Sequence, residues 1–165
     1  MTAKKYIAYG SNMNLEQMER RCPGARVTGK GWLKNHRLFF AGRSEAAVAS
    51  IEPAEGHAVP VVLWEITPED EQALDGYEGY PWLYGKQDLT VEAAGEQVSA
   101  MVYVMGPGFA YGAPSKPYLD CIREGYASAG FDTAVLDEAV EYSTAHLRQT
   151  YELPDEGKPS EQSIL

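Results

Sequence analysis

RVTGKGWLKNHRLFFAGRSEAAVASIEPAEGHAVPVVLWEI, residues 26–66, is the stretch that decides the fold. Four segments in it, Arg26–Leu33, His36–Ala41, Ala47–Ile51 and Val59–Ile66, are rich in β-branched and aromatic residues. Gly, Pro, Asn and charged residues separate them. Side chains that fit a pleated surface, punctuated by turn formers, predict four short strands in succession.

Working outward toward the N-terminus, Lys5-Tyr6-Ile7-Ala8-Tyr9 reads as a further strand, broken by Gly10-Ser11-Asn12. Asn14 is placed to cap a short helix over 15–21, with Gln17 as its capping-box partner, and Pro23-Gly24 ends it. Toward the C-terminus, Thr67-Pro68-Glu69-Asp70 is a strong helix start: Thr as N-cap, Pro at the first helical position, acids in the first turn. That helix is expected to run to Leu74 or Asp75, because Gly76-Tyr77-Glu78-Gly79-Tyr80-Pro81 does not easily continue it. Two more strands follow, Tyr84–Val91 and Gln97–Met105, joined by a turn at Ala94-Gly95. Residues 106–114, with Gly106, Pro107, Gly108, Gly112 and Pro114, read as a loop. Ser115 caps a helix over 116–128, whose Leu119, Ile122 and Tyr126 form an apolar face. Gly130 stops it, and Asp132 or Thr133 starts a last helix to about Gln149. Strands dominate the first two thirds and helices flank or follow them. This predicts an α+β fold on a small mixed, mainly antiparallel sheet, with enough strands to close a barrel. Residues 1–151 make the domain, and the polar stretch 152–165 reads as a flexible tail.

The chain has 165 residues, of which 44% are hydrophobic, as expected for one globular domain. No apolar run approaches the roughly 20 residues of a membrane-spanning helix. Met1-Thr2-Ala3-Lys4-Lys5 leads straight into a strand without a signal-peptide pattern, so the expected location is the cytoplasm. The two cysteines, Cys22 and Cys121, form no CxxC pair and read as reduced structural thiols. His36, His57 and His146 lack metal-ligand spacing, and no metal or other cofactor is expected. The net charge of −10 argues against a nucleic-acid partner. The early basic residues, Arg20, Arg21, Arg26, Lys30, Lys34 and Arg37 among them, read as a solvated face. Trp32, Trp64 and Trp82 are assigned to packing.

Two segments place residues as a core would not require. Tyr9-Gly10-Ser11-Asn12 turns from a strand into a helix, so it presents backbone N–H groups to one point and suits a carboxylate. Gly10, lacking a side chain, allows close approach. Glu78, between Tyr77 and Gly79 at a helix exit, is a carboxylate placed for partial desolvation, which makes it a better base near neutral pH. On pattern alone the first is also an ordinary turn and the second also an exposed loop acid. Tyr84, Tyr103 and Tyr118 are candidate hydroxyl donors to a polar pocket, and equally candidate packing residues.

Tyr6–Met13 resembles the YGSN signature that opens γ-glutamylcyclotransferase-like proteins, γ-glutamylamine cyclotransferase-like proteins included. Leu74–Gly79 resembles the family's second signature, which carries its catalytic glutamate. Ala49–Pro53 and Val62–Ile66 sit where the family has comparable strands. Pro114–Tyr118, followed by Ile122 and Gly125, resembles its C-terminal helix. The resemblance covers residues 5–140 and implies a small mixed barrel with flanking helices. It implies that Tyr9, Gly10, Ser11, Asn12 and Met13 hold a glutamyl group, that Glu78 takes a proton from the substrate α-amine, and that Tyr84, Tyr103 and Tyr118 line the pocket. The implied activity is cofactor-free conversion of a small-molecule γ-glutamyl amide to 5-oxoproline and a free amine. Two other readings share the scaffold: a non-catalytic module for a ligand or partner, and an enzyme that deprotects a γ-glutamyl-capped biosynthetic intermediate. The leaving amine and the oligomeric state stay open.

Overall fold

A computed structural model describes residues 3–42 and 46–150. The expected tail at 152–165 lies outside the described residues. Strand β1 (Lys4–Ala8) leads through a 3₁₀ turn, Ser11–Met13, into α1 (Leu15–Arg21). Then come β2 (Arg26–Gly42), β3 (Val48–Ile66), α2 (Pro68–Tyr77), β4 (Tyr84–Ala93), β5 (Glu96–Met105) and β6 (Ala110–Tyr111). Helices α3 (Lys116–Ala129) and α4 (Ala134–Ala145) complete the described order.

The strands are ordered β3-β1-β5-β4-β2-β6, and β2 also pairs with β3. That pairing closes β3, β1, β5, β4 and β2 into a five-stranded barrel, with β6 added beside β2. Among the described strands, β1 against β5 is the one parallel pair, through Tyr6 and Met101; the other pairs are antiparallel. Closure depends on one close approach. A Cβ on Gly31 would lie 2.1 Å from the Glu92 carbonyl oxygen, so glycine is needed where β4 crosses β2.

The four strands expected over 26–66 are two long ones that bend together. Asn35 and Gly56, which a linear reading treats as breaks, have φ of 60° and 85°. The Asn35 side-chain oxygen accepts from Gly56 N–H at 3.2 Å, beside a register shift between Lys34 and His36. The breakers are thus absorbed as a bulge in a continuous ladder. Residues 106–114 are also not purely loop, since Ala110–Tyr111 pair with Ala41 and Gly42.

Helix α2 begins with Thr67 as N-cap, as expected, and Asp70 adds a return bond that makes the pair a reciprocal capping box at 3.1 Å each way. The Asp70 carboxylate, buried, also accepts from Gly24 N–H at 3.3 Å and so ties α2 to the chain after α1. At its other end the helix continues past Asp75 to Tyr77. Gly76 is tolerated there, and Gly79 stops the helix by taking a left-handed φ of 62°. Asn14 caps α1 by accepting from Gln17 N–H at 3.0 Å. Helix α4 ends at Ala145, earlier than Gln149, and packs on β2, where buried Ser143 accepts from Phe40 N–H at 2.8 Å.

The barrel core is built from Ile7, Leu38, Phe39, Val59, Val61 and Val102, each at most 1% exposed. Trp64 is buried as expected, Trp32 packs edge-on to Phe131 at 5.4 Å but stays 39% exposed, and Trp82 is 80% exposed. It sits in the turn after α2, where its N–H bonds the Gly79 carbonyl at 2.8 Å.

Candidate active site

One end of the barrel opens into a cavity of about 260 Å³. Its walls come from β1 and the turn after it, the end of α1, the Ala49 region of β3, the exit of α2, and the first residue of β4 with Tyr103 and Tyr118. Eight of the nine expected site residues line it: Tyr9, Gly10, Ser11, Asn12, Glu78, Tyr84, Tyr103 and Tyr118. Met13 does not. Its side chain is fully buried behind the turn, against Gly125 of α3, where an added Cβ would meet the Met13 Cβ at 2.8 Å.

Glu78 is the C-cap of α2; its N–H bonds the Leu74 carbonyl at 2.8 Å. Protein surrounds the carboxyl, although the residue keeps an edge on the cavity. Burial raises its pKa from 4.5 to about 7, against a downward pull from Arg21. Its place at the carbonyl end of a helix also disfavours a negative charge. The Asn12 side-chain N–H donates to Glu78 Oε1 at 3.4 Å and to the Tyr6 hydroxyl at 3.0 Å. The other end of that amide, Oδ1, accepts from Arg21 at 2.9 Å, and the Asn12 carbonyl accepts from Trp64 Nε1 at 3.0 Å. Asn12 is therefore held on all sides.

The tyrosines divide by where their protons go. Tyr9 donates to the Tyr103 carbonyl at 2.7 Å, Tyr84 to the Ala49 carbonyl at 2.5 Å, and Tyr103 to Asp75 at 2.6 Å. Tyr118 instead accepts from Ala49 N–H at 2.9 Å, as Tyr6 accepts from Asn12. Among the described residues, the protons of Tyr6 and Tyr118 have no acceptor, so both hydroxyls are donors available to a molecule in the cavity. Burial, with Glu78 nearby, pushes both phenols well above 10, so they stay neutral. The turn residues Ser11 and Asn12 likewise keep their backbone N–H groups free of described acceptors, while those of Met13 and Asn14 close the 3₁₀ turn on Gly10 and Ser11. Gly10 has an ordinary φ of −124°; what it supplies is space, since a Cβ there would stand 3.3 Å from Ala49 and 3.7 Å from the Tyr118 hydroxyl.

Seven residues of the cavity lining were not expected at the site, and two of them, Tyr6 and Arg21, bond directly to Asn12. Tyr6 was read as strand and as the start of the signature segment, with no role in the site. Arg21 was grouped with a solvated face, yet it binds Ser11 and Asn12 and stacks 4.6 Å from the Tyr77 ring centroid. Its signal was its place in the last turn of a helix so short that a long side chain can fold back to the turn preceding it. Among the described residues, no group of three His, Cys, Asp or Glu is placed to hold a metal ion, and no helix is long and apolar enough to cross a membrane.

A family model described as gamma-glutamyl cyclotransferase, AIG2-like, matches residues 6–126. The chain belongs to this family. Its matched segment includes the turn, Glu78 and Tyr118 alike. A solved structure named gamma-glutamyl cyclotransferase is 25% identical, with a TM-score of 0.74 over 98% of this chain and 95% of that one. A protein from Homo sapiens, described as uncharacterized, is 26% identical with the same TM-score, over 98% and 96%. YkqA from Bacillus subtilis, at 19% identity and a TM-score of 0.73, shares the fold over 90% of this chain and 57% of its own. None of the curated proteins matches the chain. The closed mixed barrel with flanking helices is thus the fold of this family.

Proposed function

We propose that the protein is a γ-glutamylcyclotransferase-type enzyme that converts a γ-glutamyl amide to 5-oxoproline and a free amine. One observation carries this reading: a desolvated carboxylate, Glu78, faces a cavity whose other polar lining is neutral apart from Arg21. In the reaction the substrate's α-amine nitrogen attacks its own γ-carbonyl carbon. A C–N bond closes the five-membered lactam, and the C–N bond to the leaving amine breaks. No water is consumed, and the nucleophile is already tethered, so the protein has mainly to hold the reactive conformer.

The α-amine, with a pKa near or above about 8, is largely protonated at neutral pH and must lose a proton before it attacks. An ordinary carboxylate is too weak an acceptor for that step. Raising Glu78 from 4.5 to about 7 improves the transfer by about 3 kcal/mol. The same carboxyl then returns the proton to the leaving nitrogen. The free N–H groups of Ser11 and Asn12 suit the α-carboxylate. The Tyr118 hydroxyl, with its own proton unused, suits the oxygen that gains charge at the γ-carbonyl.

The test is a 5-oxoproline assay on a panel of γ-glutamyl dipeptides and γ-glutamylamines. Wild type should form product from at least one member, and Glu78→Gln should lose on the order of 10²–10⁴ in turnover. Near-normal turnover in the variant would remove Glu78 as the base. Failure of every substrate, with 5-oxoproline still raising the melting temperature, would favour a binding module instead.

A further inference from the structure

Glu78 sits among groups that do not ionise near neutral pH. From β1 and the turn after it come Tyr6, Tyr9 and Asn12; from β4 comes Tyr84; from β5, Tyr103; from α3, Tyr118. Burial raises the pKa of each of these phenols, so all remain uncharged. Asp75, beside Tyr103, is paired with Lys86. Arg21 is the charged group whose field acts on Glu78 among the described residues.

Arg21 also acts through a hydrogen-bonded path. Its guanidinium donates to Asn12 Oδ1 at 2.9 Å and to Ser11 Oγ at 3.3 Å. A primary amide has one acceptor end and one donor end. With Oδ1 turned toward Arg21, the NH₂ end must face Tyr6 and Glu78, as it does. Were the amide reversed, two oxygens would oppose each other at Glu78 and an NH₂ would oppose the guanidinium. The stack of Arg21 on Tyr77, the residue just before Glu78, fixes the guanidinium from the other side.

We propose that Arg21 is a positioning residue for the reaction, holding the Asn12 amide with its donor end on Glu78 and supplying the positive charge that lets Glu78 ionise inside the cavity. This rests on the reading of Glu78 as base. The arrangement occupies one carboxylate oxygen and leaves the other for the substrate ammonium. Without Arg21 the base would hold its own proton too tightly to be empty at neutral pH.

The test reads Glu78 directly as well as turnover. Protein carrying ¹³C at the glutamate δ-carboxyl is titrated by NMR, with the Glu78 signal assigned by its loss in Glu78→Gln. In Arg21→Gln the midpoint should rise by about one pH unit. The acidic limb of kcat/KM should rise with it, so that activity at pH 7 falls roughly fivefold and partly recovers at higher pH. Arg21→Lys, which keeps the charge, should hold the midpoint near that of wild type. Asn12→Ala, which keeps Arg21 but removes the donor, should also raise it, and it carries the test if Arg21→Gln does not fold. An unmoved midpoint in Arg21→Gln, or in Asn12→Ala, would overturn the proposal. So would a large rise in KM with the acidic limb in place, which would make Arg21 a substrate ligand. The NMR arm needs no turnover, so it separates failure of this proposal from failure of the cyclotransferase reading.

Discussion

Replacing Glu78 by Gln should stabilise the folded protein while removing the proposed base, and the gain should grow with pH in a defined window. The folded carboxyl has a pKa of about 7, against 4.5 for an ordinary one. Below 4.5 it is protonated in both folded and unfolded chains and contributes nothing to the pH dependence. Between 4.5 and 7 the unfolded chain releases the proton first, so wild type loses stability as pH rises. Above 7 the loss is complete, at about 3 kcal/mol. Gln has nearly the same shape and no charge at any pH, so it escapes this loss. Its NH₂ must find partners in the cavity, which offsets some of the gain at every pH equally. The pH-dependent part is therefore the sharper quantity: about 2 kcal/mol in favour of the variant between pH 5.5 and pH 8. For a chain of this length that is roughly 4–8 °C of added separation between the two melting temperatures. Thermal unfolding followed by circular dichroism at both pH values measures it. A constant separation would mean that Glu78 titrates as an ordinary carboxyl, and the physical case for it as a neutral-pH base would fall with it.

Catalysis should show the same group from the other side. With Glu78 required as carboxylate, kcat/KM for 5-oxoproline formation should fall about tenfold per pH unit below about 7 and level off above it, a profile flat from pH 5.5 to 8 being the contrary result. Tyr118→Phe should cost on the order of 10²–10³ in turnover, because its proton is free to meet the substrate. Tyr9→Phe, whose proton already serves the Tyr103 carbonyl, should act mainly on stability, by about 1–3 kcal/mol. Equal turnover losses in the two variants would refute the division of the hydroxyls. Gly125→Ala should push α3 off the 3₁₀ turn, since its Cβ would meet the Met13 Cβ at 2.8 Å and Asn14 N at 2.9 Å. Its KM should rise, and a variant with wild-type kinetics would show that the turn yields without disturbing the cavity.

How much of this was legible depended on how local each cause is. The Thr67 cap, the Asn14 cap and the Ala94-Gly95 turn each depend on residues within four positions, and all were readable. The length of β2 and β3 was not, because Asn35 and Gly56 act as breakers singly but as a matched bulge when paired. Strand β6 was invisible for a similar reason: two residues carry no period, and only β2 makes them a strand. Eight of the nine expected site residues converge on one cavity because the two motifs lie at the ends of elements that meet at one mouth of the barrel. Met13 was grouped with them by adjacency, but a 3₁₀ turn rotates each successive residue by a third of a turn, which carries Met13 to the core side. Arg21 was missed because charge in a linear sequence reads as solvation, whereas here the helix that carries it is short enough for its end to reach back to the turn at its start.

Helix α3 explains why the cavity keeps its shape although its walls come from distant parts of the chain. Tyr118 and Gly125 lie seven residues apart, two helical turns, and so share one face. At Tyr118 the helix holds Ala49 N–H, while the carbonyl of the same residue is held by Tyr84. At Gly125 the helix lies against Met13 and Asn14, and Asn14 donates to the Cys121 carbonyl at 2.9 Å between them. One helical face thus grips both the β3 wall and the turn that carries Asn12. Asn12 in turn is fixed by Arg21 and Trp64 before it reaches Glu78. A carboxylate held in a costly environment keeps its raised pKa only if its neighbours cannot shift to solvate it. The rigid frame and the raised pKa of Glu78 are therefore two aspects of one requirement, and loosening α3 should lower that pKa.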